Sequence, residues 1–305
     1  MDLGRVGIWS GHLRTLGIDD AAALAAELED LGFRALWFPA VGSGIFTRAR
    51  AMLAATDRVV IATGITDIWT SPAPLVADSH RALAAAFPGR FLLGLGVSHA
   101  LGNEREIPAP MPRPVRAMAT FLAELDCALT PVPRDERVLA ALGPRMLQLA
   151  AERSAGAHPY LIPVSHTRRA REVLGAGPLL APEVAVLFAT DPVRARQIAR
   201  RHVGRYLDAP NYTNNLLREG FGGEDVRDGG SDRLIDALVG WGDRAAVLRR
   251  ITAHLDAGAD HVCVQVLASD EAEPPIAEWR ALANLVGLER RGRPPGARTA
   301  QAIDG

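Results

Sequence analysis

The residues best suited to chemistry follow an apolar run, Phe91 to Leu95, whose length and composition are those of a strand buried on both faces. Gly94 and Gly96 permit sharp turns and let a ligand approach the backbone closely. Ser98 and His99 come directly afterwards, at the carboxyl end of the strand, where α/β folds place their functional groups. A tight turn with two solvated polar residues explains the same pattern equally well.

A second run, Gly143-Pro144-Arg145-Met146, offers backbone N–H groups at a helix start together with a cationic side chain. Taken alone, it is also an ordinary helix start with a surface arginine. The turn that contains Val97, Ser98 and Ala100 offers a similar set of N–H groups after the preceding strand. Two such anion-binding turns on neighbouring strands favour a phosphorylated ligand whose other end lies over the sheet.

The pattern of apolar runs and helical periodicity predicts eight strands, each followed by a helix, and therefore an α/β fold of the (β/α)8 TIM-barrel type. The segment 208–242 departs from the pattern as an insertion between strands seven and eight. We expect one domain over residues 1–287 and a mobile C-terminal tail over 288–305. The predicted strands are Val6–Trp9, Arg34–Phe38, Arg58–Ile65, Phe91–Leu95, Val138–Leu142, Ala157–Ile162, Val184–Ala189 and His261–Leu267.

In such a barrel the active face is the carboxyl end of the strands. Further candidates at that face are Trp9, Ser10, His12, Ala40, Thr63, Gly64, Ile65, Trp69, His158 and Tyr160. Three other histidines, His166, His202 and His254, fall on predicted helices and are expected to be solvated. Asp19 and Ser165 are predicted to cap helices.

Composition excludes several classes of protein. The chain of 305 residues has a net charge of −1, which gives no general attraction to nucleic acid or membranes. All of its basic residues are arginine, so a Schiff-base lysine and a P-loop lysine are both excluded. Cys127 and Cys263 are expected to be core residues, and no metal-ligand spacing is present. Without a signal peptide or an apolar run of membrane length, a cytoplasmic protein is expected.

Several strings together resemble the bacterial luciferase-like flavin and deazaflavin oxidoreductases, and most closely their actinobacterial branch assigned to coenzyme F420. The likeness covers about residues 3–287. The strings that carry it are Gly7–Gly11, Ala35–Pro39, Thr63–Ile65, Pro88–His99, Leu139–Met146 and Gly156–Tyr160.

The resemblance implies a deazaflavin ring over the barrel mouth and a phosphate in the loops after strands four and five. It also implies a non-prolyl cis peptide at Gly64–Ile65, behind the ring. The residues implied to bind the cofactor are Thr63, Gly64, Ile65, Gly96, Val97, Ser98, His99, Ala100, Gly143, Pro144, Arg145 and Met146. The implied substrate pocket holds Trp9, Ser10, Ala40, Trp69, His158 and Tyr160.

His99 stands where dehydrogenase relatives carry an acidic proton donor, and a histidine can perform the same transfer or only bind phosphate. Ala40 stands where relatives carry an acidic residue or a histidine, and it can move no proton. His99 or His12 would then have to substitute. Arg205, Tyr212 and Asn215 are candidates for closing the site from the insertion.

Three functions remain open from the sequence. The first is an F420-dependent oxidoreductase that passes a hydride between the cofactor and an unsaturated or carbonyl small molecule. The second is an FMN-dependent monooxygenase of the same fold. The third is a cofactor-binding barrel whose catalysis has been lost or altered, which the alanine at position 40 motivates. The resemblance also implies a homodimer.

Overall fold

Ten strands and twelve helices alternate along the described part of the chain, which is residues 1–40, 42–97 and 113–289 of a computed structural model. The strands are Val6–Trp9 (β1), Ala35–Ala40 (β2), Val60–Asp67 (β3), Phe91–Gly96 (β4), Arg137–Leu139 (β5), Gly156–Ala157 (β6), Leu179–Leu180 (β7), Glu183–Leu187 (β8), Val239–Trp241 (β9) and Val262–Val266 (β10). The helices are His12–Thr15 (α1), Ile18–Asp30 (α2), Ile45–Ala54 (α3), Ala73–Ala86 (α4), Pro114–Asp126 (α5), Pro144–Arg153 (α6), Val164–Leu174 (α7), Pro192–Gly204 (α8), Pro210–Arg218 (α9), Asp232–Leu238 (α10), Arg244–Asp256 (α11) and Ile276–Leu285 (α12).

The strands form one parallel sheet in the order β7-β6-β5-β4-β3-β2-β1-β10-β8-β9. β7 lies at one edge of this order and β8 near the other, yet only Ala181 and Pro182 separate them. The N–H of Ala181 donates to the carbonyl of Ala157 at 2.9 Å, and the carbonyl of Pro182 accepts from the N–H of Cys263 at 2.9 Å. The sheet is therefore curled, and its strands bring their carboxyl ends to one rim.

Apolar side chains fill both faces of the sheet, as expected for parallel strands covered by helices. Trp37, Leu92, Val138 and Cys263 pack together on the concave face. The alternate residues of the strands pack against the surrounding helices in a separate and larger cluster. No helix of the described residues is long and apolar enough to cross a membrane.

All eight predicted strands are present; the first has the predicted bounds, and the ends of the others differ by at most five residues. β7 and β9 were not predicted, because runs of two and three residues carry no recognisable periodicity. The segment 208–242 forms α9, α10 and β9, and β9 extends the sheet next to β8. Of the predicted tail, only residues 288 and 289 lie among the described residues.

Two predicted helix caps are wrong. α2 begins at Ile18 after Gly17, and α7 begins at Val164 after Pro163, in both cases without a side-chain cap. By contrast, α8 has a side-chain cap, since the carboxylate of Asp191 accepts from the N–H groups of Val193 and Arg194.

The solvation predicted for three histidines is also wrong. His166, His202 and His254 are exposed by 1%, 4% and 0%, because each lies on the buried face of its helix. Cys127 was expected in the core but is exposed just after α5, whereas Cys263 is buried as expected.

Candidate active site

The carboxyl ends of β3, β4 and β5 meet in a shallow apolar floor. Gly64, Ile65, Val97 and Ala140 are partly exposed there, in contrast to the fully buried residues that precede them. A Cβ added to Gly96 would lie 2.5 Å from Cδ1 of Ile65 and 3.3 Å from Cβ of Ala140, so glycine is required for this close packing. The peptide bond between Gly64 and Ile65 is cis, as the resemblance predicted.

Trp9 and His158 support the floor from beneath Gly64. A Cβ on Gly64 would lie 2.6 Å from Nε1 of Trp9 and 3.1 Å from Nε2 of His158. Neither of these two nitrogen atoms has a hydrogen-bond partner among the described residues, although both are buried. Two predicted pocket residues therefore lie directly behind a predicted cofactor-binding residue.

Burial keeps the imidazole of His158 neutral and lowers its pKa to about 4. Its Nδ1 lies 2.7 Å from the carbonyl oxygen of Ala181, to which it must donate, so Nε2 is left as an acceptor. The ring is stacked on Trp37 with 4.4 Å between centroids. His158 is therefore a rigid support with a hydrogen-bond acceptor and not a proton donor.

The N-terminus of α6 lies beside this floor, because β5 pairs with β4. Gly143 precedes the helix, and no side chain caps its first N–H groups. Pro144 and Arg145 are exposed, whereas Met146 is buried in the core. Nη2 of Arg218 would lie 3.7 Å from a Cβ on Gly143, so a second guanidinium reaches the helix start from the end of α9.

Arg218 was missed from the sequence, because nothing in its local pattern places the end of α9 against α6. Arg169 of α7 helps to anchor this end of α9 through two contacts. Nη1 of Arg169 donates to the carbonyl of Arg218 at 3.2 Å and forms an ion pair of 2.9 Å with Glu219. The arrangement of N–H groups and two arginines is suited to a phosphate.

The predicted residues after β1 are held in place by polar contacts. Ser10 is buried, and its hydroxyl accepts from the N–H of His12 at 3.2 Å. The ring of His12 lies 3.1 Å from the carbonyl oxygen of Glu271 through Nε2, which therefore donates. His12 is thus engaged with the loop after β10, and its proposed catalytic role remains a prediction.

Ala40 and Trp69 lie at the ends of β2 and β3. Ala40 is exposed by only 1%, so the position expected to carry an acidic residue or histidine presents a buried methyl group. The indole N–H of Trp69 donates to the carbonyl of Val97 at 2.7 Å, and the backbone N–H of Trp69 donates to the carboxylate of Asp67 at 2.9 Å. Burial raises the pKa of the Asp67 carboxyl. Trp69 therefore ties the end of β3 to the end of β4.

Thr63 is fully buried and bonds β3 to β4, since its hydroxyl donates to the carbonyl of Gly94 at 2.9 Å and accepts from the N–H of Gly94 at 2.8 Å. Its contribution to the site is therefore structural. Ser98, His99 and Ala100, which were predicted to bind the cofactor, lie outside the described residues.

Tyr160 borders the site opposite Gly64, and Trp9 lies between them with 5.3 Å between the ring centroids of Trp9 and Tyr160. The hydroxyl of Tyr160 bonds to Gln265 and to Tyr206, both at 3.0 Å. Neither partner was predicted, because they lie in distant parts of the chain and have no motif of their own.

The three predicted closing residues differ in position. Tyr212 and Asn215 are buried on α9, and the ring centroid of Tyr212 lies 6.3 Å from that of Tyr160; their closing role stays a prediction. Arg205 instead forms an exposed ion pair of 2.6 Å with Glu271. Within the described ranges, no group of histidine, cysteine and acidic residues could hold a metal ion.

The chain was compared with family models, with curated protein sequences and with solved structures. Residues 3–261 match the family model described as luciferase-like monooxygenase. No curated protein sequence matches the chain.

Solved structures with the same fold have low sequence identity. One is a coenzyme F420 dependent tetrahydromethanopterin reductase from Methanopyrus kandleri, with a TM-score of 0.71, 17% identity, and coverage of 94% of this chain and 100% of that chain. Another is an F420-dependent secondary alcohol dehydrogenase in complex with an F420-acetone adduct, with a TM-score of 0.68, 15% identity and coverage of 93% and 98%.

A third is the oxygenating constituent of a 3,6-diketocamphane monooxygenase from Pseudomonas putida in complex with FMN, with a TM-score of 0.65, 14% identity and coverage of 94% and 98%. Each of these likenesses concerns the fold, and the family model covers most of the chain. The chain belongs to the luciferase-like monooxygenase family.

Proposed function

We propose that the protein is an oxidoreductase that uses coenzyme F420 and transfers a hydride between this cofactor and a carbonyl or unsaturated small molecule. The observation that supports this most strongly is the start of α6, which has no side-chain cap, carries the exposed Arg145 in its first turn and is approached by Nη2 of Arg218 at Gly143. A cofactor with a flat ring and a phosphorylated tail needs this combination. The proposal includes a closed (β/α)8 barrel with segment 208–242 inserted before its last strand.

The residues around the floor fit such a cofactor by shape and polarity. Gly64 presents no side chain, so a planar ring could lie against the backbone with Trp9 and His158 behind it. Arg145 and Arg218 would hold the phosphate together with the backbone N–H of Arg145, since Pro144 has no N–H and the N–H of Met146 donates to the carbonyl of Gly143 at 3.0 Å. When bound, the cofactor would supply the carbon that gives or takes the hydride.

Titration of the purified protein with F420, followed by absorbance and fluorescence, tests the proposal. We expect saturable binding that weakens about tenfold or more in Arg218→Ala, because a charge-assisted hydrogen bond to phosphate is worth about 1.5–3 kcal/mol. Arg168→Ala is the matched control, since Arg168 is exposed on α7. Absence of binding at high micromolar F420 would overturn the proposal.

An FMN-dependent monooxygenase is the second candidate, favoured by the FMN complex among the structures of the same fold. The same phosphate-binding residues would serve the shorter tail of FMN. A protein that is yellow as purified, or that binds FMN and not F420 in parallel titrations, would support this candidate.

A third outcome is cofactor binding without turnover. This outcome is considered because Ala40 presents only a buried methyl group, so that position has no proton donor. Tight F420 binding with no reaction across a panel of ketones, aldehydes and activated alkenes would identify a binding protein. A homodimer and a single domain over residues 1–287 remain predictions, which sedimentation and limited proteolysis would test.

A further inference from the structure

All three tyrosines of the chain lie in one cluster at the edge of the candidate site. The ring centroid of Tyr206 is 5.3 Å from that of Tyr160 and 5.3 Å from that of Tyr212. His202 lies against Tyr206 with its centroid 5.6 Å away, and Trp9 contacts Tyr160 on the other side at 5.3 Å. Aromatic residues from distant parts of the chain, from Trp9 to Tyr212, thus form one aromatic wall that continues into the floor of the site.

The hydroxyl groups of this wall form a short relay. The O–H of Tyr160 donates to Oε1 of Gln265 at 3.0 Å, so the O–H of Tyr206 must donate to the oxygen of Tyr160, also at 3.0 Å. If the amide of Gln265 turns over, the direction of both hydrogen bonds reverses. All three residues are partly exposed: Tyr160 follows β6, Gln265 lies near the end of β10, and Tyr206 follows α8. The relay can therefore exchange a proton with a molecule bound beside it.

The surroundings keep these groups protonated. Burial raises the pKa of Tyr160 well above its usual range and also raises the pKa of Tyr206. Glu183 lies next to the cluster and is exposed by 1%; its Oε2 accepts from the N–H of Leu161 at 3.2 Å. Burial raises the pKa of Glu183 to about 8, so its carboxyl is neutral at pH 7. The cluster therefore offers donors and no fixed negative charge, which suits an oxygen atom that gains negative charge.

We infer that the Tyr160–Tyr206 hydroxyl pair binds and protonates the oxygen of an aldehyde or ketone substrate, whose apolar substituents lie against the aromatic wall. This inference rests on the proposed function and narrows its substrate class. His12, the described residue that was predicted to act as an acid, is engaged with the carbonyl of Glu271, and the predicted pocket residue His158 presents an acceptor. An isolated alkene has no oxygen that would use the relay.

The step is balanced with the cofactor already proposed. The π bond between carbonyl carbon and oxygen breaks, and the carbon receives a hydride from the reduced cofactor. The oxygen takes the hydroxyl proton of Tyr206, and an alcohol is formed. The oxygen of Tyr206 then takes the proton of Tyr160, which is replaced from water.

Infrared difference spectroscopy with carbonyl-13C acetophenone tests the contact directly, in the cofactor-free protein and in the protein with oxidised F420. We expect the carbonyl stretch to move to lower wavenumber on binding, because a hydrogen bond weakens the C=O bond. The displacement should disappear in Tyr206→Phe and shrink in Gln265→Leu, which leaves both rings in place. Arg168→Ala, which changes an exposed side chain of α7 outside the wall, is the control and should retain it. An unchanged displacement in Tyr206→Phe, or no bound acetophenone at millimolar concentration in the parent protein, would overturn the inference.

Kinetics with reduced F420 and acetophenone give the second readout. Tyr206→Phe should lower kcat by about 100-fold or more while F420 affinity is unchanged, as expected for loss of a general acid. An unchanged kcat would contradict the inference. If F420 does not bind at all, the proposed function fails, and the infrared measurement on the cofactor-free protein still decides the role of the tyrosine pair.

Discussion

Glu183 combines deep burial with incomplete hydrogen bonding. One carboxyl oxygen accepts from the N–H of Leu161, and the other has no hydrogen-bond partner among the described residues. Burial raises its pKa from 4.5 to about 8. A raised pKa in the folded state contributes stability that is fully present below about pH 4.5 and is lost as pH rises towards 8, because the unfolded chain releases the proton first.

Glu183→Gln should remove this loss, since the amide stays neutral and its oxygen can still accept from Leu161. We expect the variant to gain stability over the parent as pH rises from 5 to 8, by at most about 1.4 kcal/mol per pH unit. Urea unfolding at each pH provides the measurement. Glu172→Gln changes an exposed glutamate in the same way and is the control. A constant difference between Glu183→Gln and parent across this range would show that the carboxyl is already ionised.

Gly64 is the second residue whose environment sets a clear expectation. A Cβ at this position would lie 2.6 Å from Nε1 of Trp9, far inside van der Waals contact, and Trp9 is itself packed against Tyr160. We expect Gly64→Ala to displace Trp9, to destabilise the fold by about 1–3 kcal/mol and to weaken cofactor binding. Gly177→Ala is the control, because nothing lies within 4 Å of the added carbon. Equal stability and equal F420 affinity in both variants would show that Trp9 can move to accommodate the added carbon without loss of stability or of cofactor binding.

At the scale of elements, β5 is anchored by a buried arginine. The guanidinium of Arg137 is fully buried and donates to Asp126 at 2.7 Å, to the carbonyl of Arg153 at 3.0 Å and to the carbonyl of Val132 at 3.2 Å. The carboxylate of Asp126, at the end of α5, also accepts from Arg153 at 2.7 Å. One acidic residue therefore joins α5, β5 and α6, and α6 carries the proposed phosphate site.

Asp126→Ala should cost about 2 kcal/mol or more, because it leaves a buried guanidinium without its charged partner. Chemical denaturation measures this directly. Asp78→Ala is a suitable comparison, since Asp78 pairs with Arg81 on the surface of α4 at 3.8 Å and should contribute less than about 1 kcal/mol. Equal losses in the two variants would mean that solvent reaches Arg137 once Asp126 is removed.

The elements that could be predicted are those with a strong local signal. Long apolar runs predicted the first four strands to within two residues, and the string Gly143-Pro144 predicted the start of α6. The sequence predicted the family and the cis bond at Gly64 through resemblance. β7 and β9 were missed because short strands are specified by neighbouring strands and not by their own residues.

The missed site residues follow the same rule. Arg218 and Tyr206 lie near the candidate site only because α8 and α9 pack over the carboxyl ends of the strands. This packing is a tertiary contact, and no local sequence pattern predicts it. The buried histidines were misjudged because a histidine on a polar helix looks solvated until its partner is known. For example, Nδ1 of His254 lies 2.8 Å from the hydroxyl of Thr167 on a different helix.

At the scale of the whole molecule, six of the described histidines are buried. His166 is one of them, and the other five have the largest downward shifts in pKa. Burial lowers the pKa of four of them to about 4 and that of the fifth to about 3. They are His80, His158, His202 and His261 in the first group, and His254 in the second. They lie in different parts of the fold, from α4 to β10, so their protonation is coupled to unfolding of the whole molecule.

Because the pKa of these histidines is lower in the folded state, the unfolded chain binds more protons than the folded chain below about pH 6.5. The contribution to stability is complete above about pH 6.5 and is lost as pH falls from 6.5 towards 4. Each such histidine adds up to about 1.4 kcal/mol per pH unit to the slope, so several together should cause steep acid unfolding. The free energy of unfolding, measured in urea from pH 7.5 to 4.5, should fall by more than about 1.4 kcal/mol per pH unit, which is the slope expected for the uptake of one proton on unfolding.

Imidazole nitrogen chemical shifts provide the independent check, because they distinguish neutral from charged rings. At pH 5.5 the folded protein should still show neutral tautomers for the five histidines, whereas a urea-unfolded sample at the same pH should show charged rings. His254→Gln should make the decline with pH shallower by about one proton. A slope near zero between pH 6.5 and 4.5, or charged rings in the folded state at pH 5.5, would mean that these side chains are reached by water.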